Sequence, residues 1–266
     1  MQSANFVMEF LYLLQMIDSQ IIKQALKRIE QANHIVAFTG AGISVESGIP
    51  PFRGKNGIWN KYDPRSLELD FFYRHPKESW LVIREIFYSH FNKATPNMAH
   101  YFLAELEKRN KLNGVITQNI DNLHQDAGSK KVFEFHGNSK MKKCTVCQHR
   151  TLVSELDLQH LPVMCAECGA LTKPDFVFFG EGIPEQAYEE SLKAARTCDV
   201  MLIVGALGEV MPAANMPYEA KRKGAYIIEV NPEPSNFTNQ VTDLFIPSKA
   251  AVFFSSLKEV LESNRD

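Results

Sequence analysis

The chain has 266 residues, is 45% hydrophobic and 23% charged, and carries a net charge of -2 at pH 7. That is the profile of an ordinary globular protein, long enough for one large domain, or one domain with a smaller lobe, and for a sizeable core. The near-neutral balance gives no global reason to expect a nucleic-acid partner. Five cysteines without an export signal argue against a disulfide framework.

The stretch from Phe6 to Ile17 is apolar apart from Glu9 and Gln15. It lacks the basic start and cleavage site of a signal peptide, and it falls short of the roughly 20 apolar residues that span a bilayer. A cytoplasmic protein without membrane contact is expected, residues 1–18 being either an amphipathic helix packed on the domain or an extension before its start.

From Ser19 to Asn33, Ile21, Ile22, Ala25, Leu26 and Ile29 recur at helical steps, which predicts a helix with one buried face. A short apolar strand, His34 to Phe38, then runs into Thr39-Gly40-Ala41-Gly42-Ile43-Ser44. A strand, small residues and a helix start are how main-chain N–H groups approach a pyrophosphate. The third glycine of that fingerprint is replaced by Val45, and a plain tight turn explains the segment equally well. Gly48-Ile49-Pro50-Pro51-Phe52-Arg53-Gly54 cannot be helical with adjacent prolines, and reads as a loop. Phe52 and Arg53 on it are candidates for a ligand lid, although chance exposure would look the same.

Between Ser66 and Phe91 lies a helical stretch rich in aromatic residues, most simply the core of a lobe. A helix from Met98 to Lys108 and a strand from Gly114 to Thr117 lead into Gln118-Asn119-Ile120-Asp121. A second strand, Val132 to Phe135, ends at His136. Open α/β sheets place ligands against polar groups at strand ends, but Asn, Asp and Gln are also ordinary turn residues. Cys144-x-x-Cys147 and Cys165-x-x-Cys168, separated by 17 residues, match a structural zinc pattern in which four thiolates fill a tetrahedral shell. Two redox or unrelated cysteine pairs, or His149 as a ligand, are the weaker readings.

The chain continues with Phe176 to Glu181, a helix from Glu185 to Thr197 and a strand from Val200 to Val204, which ends in the turn Gly205-Ala206-Leu207-Gly208. A helix from Met211 to Arg222, strands Ala225 to Val230 and Leu244 to Ile246, and a closing helix from Ala251 follow. Alternating strands and helices predict an α/β, Rossmann-like parallel sheet with helices on both faces. The expected division is an extension at 1–18 and a Rossmann-like domain from 19–54, 96–137 and 175–266. A small lobe is made of a helical insertion at 55–95 and a zinc-binding module at 138–174.

With Thr39-Gly-Ala-Gly-Ile-Ser44, Gly48-Ile-Pro50, Phe52-Arg53-Gly54, Thr117-Gln-Asn-Ile-Asp121, Phe135-His-Gly137, the paired cysteine motifs and Phe178-Phe-Gly-Glu181 in that order, the chain resembles the sirtuins. These are NAD-dependent protein lysine deacylases with a short bacterial or archaeal type of core. The resemblance implies NAD and zinc(2+) as cofactors, an acetylated protein or peptide as partner, and transfer of the acyl group to ADP-ribose with release of nicotinamide. It assigns His136 as general base, with Asn119 and Gln118 on the ribose and a water. Ile120 and Asp121 hold the nicotinamide carboxamide, unless Asp121 merely caps a helix. Phe52 shields the ribose, and Arg53 with Gly40, Ala41 and Gly42 faces the phosphates. Gly205, Ala206, Leu207, Asn231, Pro232, Glu233 and Ala250 complete the cofactor contacts. Substrate peptide is expected as an added strand on Val177, Phe179, Gly180, Glu209 and Val210.

Four positions depart from that pattern. Pro51 replaces an Asp or Thr, and Ser248 stands where glycine is common. Ala206 and Leu207 replace two hydroxyl residues that face the cofactor in the family. At about 0.5–1.5 kcal/mol per lost hydrogen bond, that pair weakens NAD roughly tenfold or more if nothing compensates, without by itself abolishing binding. No arginine follows Tyr88 in the spacing that acidic acyl groups need, so acetyl and other neutral acyl groups are expected. The competing functions are a weak or inactive NAD or ADP-ribose sensor, and an NAD hydrolase or ADP-ribosyltransferase on the same fold. A monomer is favoured.

Overall fold

A computed structural model of the protein describes residues 19–53, 57–89 and 93–263. The expected packing of residues 1–18 lies outside the described residues. Helix α1 (Ser19–Gln31) leads to strand β1 (Ile35–Thr39), then a 3-10 segment, Ala41–Ser47. Helices α2 (Leu69–Arg74) and α3 (Pro76–Ile83) follow, with a π turn at Arg84–Tyr88. Next come α4 (Met98–Lys108), β2 (Leu112–Thr117), α5 (Leu123–Asp126) and β3 (Val132–Glu134). The cysteine-rich region holds β4 (Gly137–Cys144), β5 (Arg150–Leu152), α6 (Glu155–Gln159) and β6 (Thr172–Phe176). The chain closes with α7 (Glu185–Thr197), β7 (Val200–Val204), α8 (Asn215–Arg222), β8 (Tyr226–Asn231), β9 (Leu244–Pro247) and α9 (Ala250–Ser263).

Six strands form one parallel sheet in the order β3-β2-β1-β7-β8-β9. The order reverses between β1 and β7, which makes the carboxyl ends of those two strands the ligand crevice of a doubly wound sheet. Alternate residues feed two cores. Ile35 and Ala37 pack with α1, α4 and α9, whereas Val36 and Phe38 pack with α7 and α8. Strands covered on both faces are apolar throughout, which is why β1 and β7 read as unbroken hydrophobic runs.

The helices start where their sequences allow. In α1 the buried Ile22, Ala25, Leu26 and Ile29 lie on one face. Asn97 caps α4 by accepting the Ala99 N–H. The aromatic stretch is not one helix: Pro76 opens a new one, a position where its missing N–H costs nothing. The helix expected from Met211 begins at Asn215, because turns around Pro212 precede it.

A second, antiparallel sheet, β5-β4-β6, carries the cysteines. Its core with α2 and α3 is aromatic: Phe72, Trp80, Phe87, Phe176 and Phe178 are buried together with Ile120 from the end of β2. Trp80 donates its indole N–H to the Thr172 carbonyl at 2.9 Å, tying the helical insertion to β6. Among the described residues no helix is long and apolar enough to cross a membrane.

Candidate active site

One register row places the site. Glu134, Thr117, Thr39, Val204 and Val230 pair in succession across the sheet. The residues just beyond that row are His136, Gln118 and Asn119, Gly40, Gly205 and Asn231, so the parallel strands deliver them to one edge.

His136 Nδ1 lies 3.0 Å from the Gln118 carbonyl. That contact puts the ring proton on Nδ1 and leaves Nε2 as a lone pair with no partner among the described residues. Burial lowers the His136 pKa, and the Gln118 carbonyl opposes the shift. The ring is therefore a neutral base at pH 7.

Asn119 is 8% exposed, and its side-chain amide donates to the Gly40 carbonyl at 3.1 Å and to Ser44 Oγ at 3.2 Å. Its Oδ1 accepts from no described residue. Ser44 Oγ in turn donates to Asp121 Oδ2 at 2.7 Å, and Asp121 Oδ1 takes the Leu123 N–H at 3.0 Å. Asp121 thus closes a short turn onto the first N–H of α5, while the residue at the helix start itself is Asn122, which makes no side-chain cap bond. Burial raises its pKa, against those two donors. Ile120, between them, turns its carbonyl to the Ser139 N–H and hydroxyl.

The glycine turn differs from the sequence expectation. The Gly40 N–H donates to the Val204 carbonyl and the Gly42 N–H to the Gly205 carbonyl. Both N–H groups are spent inside the fold, because the two turns touch main chain to main chain. The donors left unpaired by the described residues are the N–H groups of Ala41, Ala206, Leu207 and Gly208. Every carbonyl of the second turn is taken: Gly205 by Gly42, Ala206 by Asn231 Nδ2, Leu207 by the Asn236 N–H and Gly208 by Asn236 Nδ2. Gly205 and Gly208 both have positive φ, at 62° and 74°. Successive unpaired N–H groups of this kind form a nest for an anion. Ala206 is buried and Leu207 is 44% exposed, so the missing hydroxyls sit beside main-chain donors that remain.

Glu229 was not singled out from the sequence. It is fully buried on β8 and accepts from Asn231, Ser235, Thr238 and Thr242. The spacing of those hydroxyls after Glu229 was the available signal. The cluster steadies Asn231, so Asn231 meets the second turn instead of pointing outward. Pro232 and Glu233 are exposed just beyond it, and Ala250 is buried at the start of α9. There the Ala251 N–H is held by Glu46 of the 3-10 segment at 2.6 Å.

Phe52 sits 5.5 Å from Trp59 and 6.2 Å from Phe87, ring to ring, and Arg53 pairs with Glu209 at 3.4 Å. The loop thereby bridges the helical insertion and the second turn. Val177 donates its N–H to the His136 carbonyl, which sets that strand end beside the base. Phe179 is different from the expectation. Its N–H and carbonyl are both taken, by Leu67 and Leu69, so it offers its 44% exposed ring instead of unpaired main chain. Gly180, with φ of 86°, follows directly, and Val210 comes after Glu209, the partner of Arg53.

The sulfurs of Cys144, Cys147, Cys165 and Cys168 all lie within 4.8 Å of one another. Cys144 and Cys168 are 3.5 Å apart and Cys147 and Cys165 3.7 Å. A tetrahedron of Zn–S bonds near 2.3 Å has sulfur–sulfur edges of about 3.8 Å, so the four side chains fit such an ion. No disulfide links any of them.

A parallel sheet of this order, with an imidazole, an amide and a run of unpaired N–H groups at its switch point, defines a dinucleotide-binding fold beside a lobe whose four cysteines fit a metal ion. The family model described as "SIR2: Sir2 family" matches residues 40–212. The NAD-dependent protein deacylase of Pyrococcus furiosus is 43% identical across 90% of this chain and 97% of its own length. That of Aquifex aeolicus is 41% identical across 88% and 96%. A solved structure described as "Structural Basis for the Mechanism and Regulation of Sir2 Enzymes" superposes with a TM-score of 0.84 at 40% identity, covering 92% of this chain and 99% of that one. Another, described as "Sir2-p53 peptide-NAD+", gives 0.82 at 35% identity, covering 91% and 98%. The chain belongs to the Sir2 family.

Proposed function

We propose that the protein is an NAD-dependent protein lysine deacetylase. The observation that carries this reading is the neutral His136, with Nε2 free, set beside Asn119 and the strand end at Val177. NAD supplies an ADP-ribosyl group whose leaving group is nicotinamide. The nest at Ala206, Leu207 and Gly208, with Ala41 and Arg53, receives the phosphates. Asn119 Oδ1, held still by two donor contacts of its own amide, orients a ribose hydroxyl, with Gln118 beside it. Ile120 and Asp121 hold the carboxamide, and Phe52 excludes water from the ribose. With the acyl oxygen of the lysine amide taking nicotinamide's place on the ribose, His136 Nε2 would accept a proton from a ribose hydroxyl, whose oxygen would bond the acyl carbon as the lysine amine leaves.

The acyl-lysine segment lies across Val177, Gly180, Glu209 and Val210, with the Phe179 ring as a wall. Asn231, Pro232, Glu233 and Ala250 line the far end of the cofactor. Cys144, Cys147, Cys165 and Cys168 hold a structural zinc. The division of the chain into a Rossmann-like domain, a helical insertion and a zinc module, its cytoplasmic place and its neutral acyl preference belong to the same reading.

The test is incubation with NAD and an acetyl-lysine peptide. Nicotinamide and acetylated ADP-ribose should form together. NAD consumed without peptide would instead mean a hydrolase, and NAD bound without turnover a sensor.

A further inference from the structure

Beneath the strand-end row lies a hydrogen-bonded chain that the proposed cofactor contacts do not use directly. His124, on α5, is 1% exposed, and its Nε2 is 3.0 Å from Thr39 Oγ1. Thr39 Oγ1 donates to Thr117 Oγ1 at 2.9 Å, and Thr117 Oγ1 also accepts the Asn119 N–H at 3.0 Å. Proton counting fixes the polarity. Thr39 has given up its only proton, so it must accept from His124, whose proton is on Nε2. Burial, with a smaller contribution from His100, pushes the His124 pKa well down and keeps the ring neutral.

His124 Nδ1 has no partner, and neither has His100 Nε2. The two rings meet at 5.0 Å between centroids. His100 Nδ1 accepts the Asn97 N–H at 3.3 Å, which puts its proton on Nε2. One ring is left with an N–H and its neighbour with a lone pair, a complementary arrangement. Packing alone would favour leucine at this depth, since an imidazole with an unpaired nitrogen is costly to bury. What leucine could not do is hold the Thr39 hydroxyl.

We propose that His124 is a positioning residue for the cofactor site, fixing the hydroxyls of Thr39 and Thr117 and through them the main chain at Asn119. This rests on the assignment of Asn119 to the cofactor ribose. The same Asn119 amide bonds Gly40 and Ser44, and Ser44 bonds Asp121. A main-chain shift at Asn119 therefore disturbs the cofactor side of the cleft directly, whereas the peptide side at Val177 is reached only through Gln118 and His136.

Three variants test it: His124→Phe keeps a ring without the donor, His124→Gln keeps a terminal N–H, and Thr39→Val removes the hydroxyl at constant shape. Each is measured for kcat and KM towards NAD and acetyl peptide, for ADP-ribose affinity by calorimetry, and for melting temperature. In His124→Phe and Thr39→Val, kcat/KM for NAD should fall about tenfold or more while KM for peptide moves less than about twofold. His124→Gln should recover to within about threefold of wild type, and the double variant His124→Phe/Thr39→Val should be no worse than the poorer single one. Wild-type kinetics towards NAD in a folded His124→Phe or Thr39→Val protein would overturn the proposal. So would a Gln variant no better than the Phe variant. If His124→Phe does not fold, Thr39→Val severs the same chain and decides. Wild-type protein that binds ADP-ribose but never deacylates would contradict the deacetylase reading alone, and the ADP-ribose affinities of the variants would then judge His124.

Discussion

A Cβ added to Gly42 would lie 2.5 Å from the Gly205 Cα, so the turns after β1 and β7 are in main-chain contact where the strand order reverses. Gly205 also needs its φ of 62°, a conformation that side chains disfavour. The pair of glycines is thus a structural hinge-pin of the crevice as much as a ligand loop. Gly42→Ala should destabilise the protein by about 1–3 kcal/mol and part the two turns. Thermal melts and NAD calorimetry check it: a stable Gly42→Ala protein with unchanged affinity would refute this contact.

Leu207 and Ala206 occupy the positions where the cofactor turn departs from the sirtuin pattern, but they differ in what they can regain. Leu207 is exposed, so Leu207→Ser adds a hydroxyl next to the unpaired N–H groups and should tighten NAD roughly two- to tenfold. Ala206 is buried against Gly40, where a Cβ on the glycine would stand 3.1 Å from the alanine methyl. Ala206→Thr should therefore bring no gain. Isothermal titration of both variants separates the two outcomes.

Stability should fall on acidification through the histidines of α4 and α5. Burial pushes His100 down to about 4, and His124 lies well below its ordinary value. Between those folded values and about 6.5 the unfolded chain binds protons that the folded chain refuses. Their contribution is complete above about pH 6.5 and is lost as pH falls, by up to roughly 1.4 kcal/mol per pH unit for each ring. Urea unfolding between pH 7 and 5 should show this slope, and His100→Gln should flatten it. An unchanged slope in that variant would exclude His100 as a source.

Metal analysis should find about one zinc per chain, and chelation or Cys147→Ser should unfold the β4–β6 module while leaving the parallel sheet. Much less than one ion per folded chain would refute the structural zinc.

Much of this was legible in the sequence, for identifiable reasons. Helices α4 and α7 and strand β7 were delimited residue for residue, because Asn97, Pro184 and the apolar run to Val204 mark their ends. The polar strand ends flagged His136 and Asn119 as one site. What stayed hidden depends on three-dimensional contact. The spending of the Gly40 and Gly42 N–H groups on β7 requires knowing that β1 and β7 are neighbours. The loss of Phe179 main chain to Leu67 and Leu69 requires knowing where the helical insertion docks. Short elements such as α5 and α6 carry too few residues for a periodicity to register. In the sequence Glu229 is simply one carboxylate within a strand, and only the fold gathers its four donors.

The most direct measurement follows acyl transfer from an acetyl-lysine peptide in wild type and His136→Ala across pH 5–9. We expect nicotinamide and acetylated ADP-ribose in equal amounts, dependent on both NAD and peptide, with an acid limb below about pH 6.5, because burial lowers the His136 pKa. His136→Ala should lose the acyl product about 100-fold or more. Undiminished acyl product in His136→Ala, or NAD consumption indifferent to the peptide, would contradict the assignment of this protein as a deacetylase that uses His136 as its base.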